Sequence, residues 1–430
     1  MTRRTIAPIA AVVALLLAAL SLSPRSLVAQ EKVIAIRGGT VLPISGPPIA
    51  NGIVIIRGTK IAAVGAGIAI PAGAEIVDAT GKYVMPGVID AASQIGIDAS
   101  DQNEASDPIT PALRAFESYN PFGTLGLGKP GPLRNTELLA GGVTTMYVSP
   151  ADATIVGGQG FVVKTAGNTL DALVVRDPAA MDMTLGTPPK TAARARNRDP
   201  YTRMAEVALI RQALIKAQEY QRNKQARPEL PRDLGNEAFG AMLRREIPAR
   251  IQANNATDIR SALRLGEEFG IDVIIDGGAM AYEFRDELAA KHIPVILGQV
   301  SHQYISNEEV PDKTDYPPAD ERLAARLTAA GVTTAIATFS RAFGSLAPSG
   351  SGKWLLIDAA ISAGYGMSDA DVLKAVTLVP ATILGVAKRV GSLEAGKDAD
   401  VIILDGPPLS VKTWVQRTYV NGELVHRRAP

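Results

Sequence analysis

Residues 81–90, "GKYVMPGVID", decide how the chain is read. Tyr83 to Asp90 is a short apolar run bounded by glycine, the pattern of a buried strand. Ala92 and Gln94 come next, so the strand's outgoing end offers neither imidazole nor carboxylate. From Lys32 to about Thr80 lie short β-branched runs separated by glycine and proline: "KVIAIRGGTVLPI", "NGIVIIRGTKIAAVG" and "AEIVDATGKYV". They predict the strands of a small β unit. The same pattern returns only at the far end, in "GSLEAGKDADVIILD" and "TWVQRTYVNGELVHRR", with a hairpin at Asn421-Gly422. Neither piece alone has enough strands for a stable sheet. The economical prediction is one β-sandwich built from both ends, with the middle of the chain inserted.

That middle alternates apolar runs with helical stretches. The runs are "GVIDAAS", "GVTTMYVSP", "GFVVKT", "ARIQANN", "IDVIIDGG", "IPVILGQV" and "VTTAIATF". Between them stand segments such as "YTRMAEVALIRQALIKAQEYQRNKQ" and "TDIRSALRLGEEFG". This succession predicts an α/β unit, a parallel sheet covered by helices, and its length suits one (β/α)₈ TIM barrel with insertions. An open doubly wound sheet would need a Gly-rich phosphate loop after its first strand, and none is present. "SGSGK" (349–353) has the wrong glycine spacing for a phosphate loop, and Trp354 stands where a metal-binding hydroxyl belongs.

Composition narrows the function. The chain has 430 residues, 47% of them hydrophobic, and 44 basic against 43 acidic side chains. That balance gives no electrostatic case for a nucleic-acid partner. There is no cysteine, which excludes disulfides and thiolate metal sites. Only three histidines exist: His292, His302 and His426.

The N-terminus reads as a secretory signal. Arg3 and Arg4 precede an apolar core from Ile6 to Leu20, and "SLVAQ" offers a cut after Ala29. The apolar run is short for a membrane span and contains Pro8. The expectation is an exported, periplasmic protein with no membrane span once the signal is removed, and an uncleaved anchor is the alternative. The predicted organisation is a signal peptide (1–29), the first part of the β-sandwich (30–84), the barrel (85–388) and the second part of the sandwich (389–430).

The split sandwich, "VMPGVID" leading into the barrel and "VPATILGVAKRVGSLEAGKDADVIILD" leading out together resemble the amidohydrolase superfamily, most closely its secreted imidazolonepropionase-like members. "TPALRAFESYNPF", "GGVTTMYVSP" and "IVGGQGFVVK" strengthen the likeness, which runs from about Lys32 to Arg427. The resemblance implies metal-dependent hydrolysis of non-peptide C–N bonds, with zinc at the C-terminal mouth of the barrel. It also implies ligands in the form of two histidines after strand 1, a lysine or glutamate after strand 3 or 4, and histidines after strands 5 and 6. An aspartate after strand 8 would act as base.

Carried over residue by residue, that set is missing. Ala92 and Gln94 stand at the strand 1 positions, Asp182 in place of the lysine, Gln252 after strand 5, Asp276 after strand 6 and Phe339 at the base position. Of the histidines, His302 follows strand 7 and faces the pocket at best. His292 reads as a capping or packing residue, and His426 lies in the last sandwich strand. These positions predict a degenerate pocket with no catalytic residue, no metal ligand and no cofactor.

Three functions follow from this. The chain is a catalytically inactive pseudoenzyme that partners an active amidohydrolase relative as a hetero-oligomer. Alternatively it is a C–N bond hydrolase with a rearranged site, in which Gln94, Asp182, Gln252 and Asp276 supply oxygens to a hard cation. The third possibility is a binding protein for a small polar ligand. Two further stretches have plain structural readings: "VGGQG" (156–160) as a tight turn rather than an anion nest, and "RARNRDPYTR" (194–203) as a solvated loop.

Overall fold

The computed structural model describes residues 31–98, 100–121, 133–134, 136–298, 320–339 and 352–429. The segment Met1–Gln30, which includes the predicted signal, and His302 lie outside the described residues.

The two ends of the chain share one hydrogen-bonded sheet of eight strands. Val401–Leu404 pairs antiparallel with Tyr83–Pro86, which runs parallel to the end of Val33–Val41. Val33–Val41 then continues the sheet through Ile49–Arg57 and Lys60–Ala66, and Val415–Val420 and Glu423–Arg427 extend the other side. The sheet packs on its own apolar core, which includes Ile34, Ile36, Val54, Val84, Val401 and Ile403. Asn421 and Gly422 both have positive φ, 48° and 76°, as a two-residue hairpin turn of this twist requires.

The second sheet is the barrel. Its strands, in order around the wall, are β1 (Val88–Ser93), β2 (Val143–Val148), β3 (Val156–Lys164), β4 (Val174–Thr184), β5 (Ala249–Ala253), β6 (Val273–Gly277), β7 (Val295–Leu297) and β8 (Thr334–Ile336). Seven of them run in one direction. β3 runs antiparallel to both neighbours, because the links on either side of it are too short for a helical crossover. The seam between β8 and β1 is closed by side chains. The buried Asp90 carboxylate accepts from the Thr338 amide at 3.0 Å, the Ala92 amide at 3.3 Å and the Thr338 hydroxyl.

Two expectations are corrected here. The run Tyr83–Asp90 is two strands in two sheets, broken at Gly87, where the chain crosses from one to the other. A Cβ at Gly87 would lie 2.1 Å from Thr144 Oγ1, so only glycine lets the crossing pack against β2. "VGGQG" is not a turn but the buried first half of β3.

The "GKDAD" stretch ties the two sheets together. Lys164, at the end of β3, is fully buried and pairs with Asp400 at 2.5 Å and Asp398 at 3.1 Å. Asp398 also binds Lys60 at 2.6 Å and Arg389 at 2.9 Å. Burial works against the Asp398 charge, but Lys164, Lys60 and Arg389 together hold its pKa below the ordinary carboxylate value. Asp400 accepts from the Asn421 amide at 2.9 Å. Its motif is thus a buried charge lock between barrel and sheet.

Candidate functional site

Strand alternation decides which side chains enter the barrel. On β5, Ala249, Ile251 and Ala253 pack outward in the large core, which turns Arg250 and Gln252 inward. Val273 and Ile275 of β6 pack outward in the same core, leaving Ile274 and Asp276 inside. Met181 and Met183 of β4 do likewise, leaving Ala180 and Asp182 inside. One interior layer is apolar, built from Ile89, Val162, Ile274, Ile296 and Ala335. The layer nearer the mouth is charged.

Arg250 is its centre, with 2% of its surface exposed. Its Nε donates to Asp276 Oδ2 at 2.5 Å and lies 3.9 Å from Asp182 Oδ1. The guanidinium stands over the Tyr147 ring, 4.1 Å from the centroid, a cation–π contact that needs no further desolvation. The Tyr147 hydroxyl donates to Asp182 Oδ2 at 2.7 Å. Gly160 makes room for this pair. A Cβ there would lie 2.2 Å from the tyrosine oxygen and 2.6 Å from the Asp182 carboxylate.

The charges are strongly perturbed. Burial pushes Asp182 up to about 7, opposed by Arg250, Tyr147 and the Gly160 amide and reinforced by Asp276. Burial also raises Asp276, against the pull of Arg250. Burial lowers the Arg250 pKa, but Asp276, Tyr147 and Asp182 more than offset it, so the guanidinium remains charged. On the seam, burial carries Asp90 up to about 6 in spite of its hydrogen bonds from Thr338 and Ala92.

Six of the seven positions singled out from sequence line one cavity of about 30 Å³: Ala92, Gln94, Asp182, Gln252, Asp276 and Phe339. His302, the seventh, lies outside the described residues. Gln252 donates to Asp152 Oδ2 at 3.4 Å, and the Phe339 ring packs against the interior cluster. His292 is an exposed turn residue with φ of 53°, and its backbone amide, not its ring, closes the preceding helix. His426 sits opposite Thr418 in the terminal sheet. The alternation of "ARIQA" (249–253) places Arg250 on the same face as Gln252, and this was the available sign of the residue that sequence reasoning passed over. Tyr147, inside "GVTTMYVSP", was passed over in the same way.

A zinc ion does not fit this donor set. Ala92 has no donor atom, Gln94 and Gln252 offer amides, and Phe339 offers a hydrocarbon ring. A guanidinium already sits between the two carboxylates. Among the described residues no group of three or more histidine, cysteine, aspartate or glutamate side chains could hold a metal. Three polar atoms here are buried without a hydrogen-bond partner: Arg250 Nη1, Asp276 Oδ1 and Gln94 Oε1.

A barrel with its mouth formed by strand-end side chains, joined to a sheet made from both ends of the chain, defines the class as a TIM-barrel fold with a composite second sheet. The family model described as "Amidohydrolase family" matches residues 284–425. The crystal structure of an amidohydrolase from Thermotoga maritima MSB8 is 34% identical, covers 92% of this chain and all of its own, and superposes with a TM-score of 0.81. The chain belongs to the amidohydrolase family. Amidohydrolase tasK of Hapsidospora irregularis is 25% identical over 389 residues, which are 82% of this chain and 37% of that protein. The N-acetylglucosamine-6-phosphate deacetylase of Bos taurus is 36% identical over 95 residues, 22% of this chain and 21% of the enzyme. Among the described residues no helix is long and apolar enough to cross a membrane.

Proposed function

We propose that this chain is an exported, catalytically silent amidohydrolase of the imidazolonepropionase-like group that works as the non-catalytic subunit of a metal-competent relative. One observation carries the reading: Arg250 fills the charged centre of the barrel mouth, paired with Asp276. A family mechanism needs a Lewis acid there to activate water, and a guanidinium has no open coordination position for one. The N-terminal signal pattern supports export. The partner role is supported by the length of the Hapsidospora irregularis relative. The matched 389 residues are 37% of it, which leaves room for a second unit of this size. Co-expression with an exported relative that retains its metal ligands, followed by native mass spectrometry, tests the subunit role. A hetero-oligomer is expected, and this chain appearing alone beside every such relative would overturn it.

A second reading is favoured by the three orphaned polar atoms. They suit a small polar ligand, and a cavity of about 30 Å³ takes one or two water-sized groups. Calorimetry with small amides and carboxylates separates it from the subunit role.

A further inference from the structure

We propose that Arg250 is the resident cation of this barrel, neutralising Asp182 and Asp276 in place of a metal, and that its removal opens a divalent-cation site. The proposal rests on the metal-free reading above and extends it.

Buried carboxylates need a counter-charge, since an isolated ion in a desolvated site is far more costly than a paired one. Asp182 and Asp276 approach the same Arg250 Nε, at 3.9 and 2.5 Å. They come from strands on either side of β5, so the arginine strand lies between the two aspartate strands in the wall. The Tyr147 ring packs against the guanidinium, and its hydroxyl holds the Asp182 carboxylate beside it. A second observation points to more than a structural ion pair. Asp276, 7% exposed, keeps Oδ1 buried without a partner, and Gln94 Oε1 is also orphaned in the same cavity. With the guanidinium gone, the cavity would present two carboxylates, one of which already carries the orphan Asp276 Oδ1, and the orphan Gln94 amide oxygen. That is an all-oxygen donor set, which suits Mg²⁺ or Mn²⁺ with water completing the shell, and not zinc held by nitrogen.

The test compares the unsubstituted protein with Arg250→Ala, Arg250→Lys and the double variant Arg250→Ala/Asp276→Asn. Each is titrated with MnCl₂ by calorimetry, and its melting temperature is followed with and without Mn²⁺. Arg250→Ala is expected to gain one Mn²⁺ and a melting temperature that rises with Mn²⁺ and falls again with chelator. The parent, the charge-retaining lysine variant and the double variant should show neither. A folded Arg250→Ala that ignores Mn²⁺, or a double variant that binds as well as the single one, overturns the proposal. So does an Arg250→Ala chain that stays unfolded with Mn²⁺ present, because a replacement cation should restore the site. Stoichiometric zinc in the parent would instead overturn the metal-free reading, so the two failures are distinguishable.

Discussion

Two of the molecule's buried charge clusters are built to different standards. At the junction of barrel and sheet, Lys164, Asp398 and Asp400 are joined by Lys60, Arg389 and the Asn421 amide, and none of their side-chain atoms is left buried without a partner. At the barrel mouth, Arg250, Asp276 and Gln94 each keep a buried polar atom unpaired. A fully satisfied network fixes a structure, whereas a partly satisfied one is costly unless something else completes it. The junction is therefore read as architecture and the mouth as a site.

If that distinction is right, the largest loss of stability should come from the junction. Lys164→Met leaves the buried Asp400 carboxylate without a cation and should cost about 3–5 kcal/mol, measured by urea unfolding. Gly160→Ala probes the mouth by packing. Its Cβ would collide with Tyr147 and Asp182, and the expected cost is about 1–3 kcal/mol. A cost indistinguishable from zero would mean the tyrosine–aspartate pair is not held where described.

Titration sharpens the contrast further. Asp182 has a folded pKa raised from 3.8 to about 7, so the folded state binds its proton more tightly than the unfolded state does. The resulting stability is complete below the unfolded pKa and is lost as pH rises through about 7. Asp182→Asn should flatten that decline between about pH 4 and pH 7 in thermal melts. Asp398 is shifted the other way, so its contribution is present above its unfolded pKa and fades as pH falls through the lowered folded value. The smallest effect belongs to an exposed pair. Arg244→Ala breaks the contact with Glu246, both half-exposed, and should change stability by less than about 1 kcal/mol.

Much of this was legible in the sequence, and what was hidden had physical causes. The two-ended sheet and the α/β barrel follow from runs bounded by glycine and proline, and "GKDAD" marked the exit from the barrel before its partner Lys164 was known. β4 was not among the runs because Arg176, Asp177 and Pro178 interrupt its apolar pattern. The reversal of β3 was concealed because its first half is glycine-rich and reads as a turn. The strand-end positions were found from the family phrase, since each follows an apolar run by a fixed offset. Arg250 escaped because a charged residue inside a buried strand becomes meaningful only when its facing is known. In a period-of-two element that facing is set by neighbours distant in sequence.

In this proposal Arg250, not a metal, carries the positive charge at the barrel mouth. Elemental analysis of the purified, unsubstituted protein tests it most directly. Well under one equivalent of zinc per chain is expected, with a melting temperature that chelator leaves unchanged, whereas one tightly bound zinc per chain would show that a metal, not Arg250, occupies the mouth.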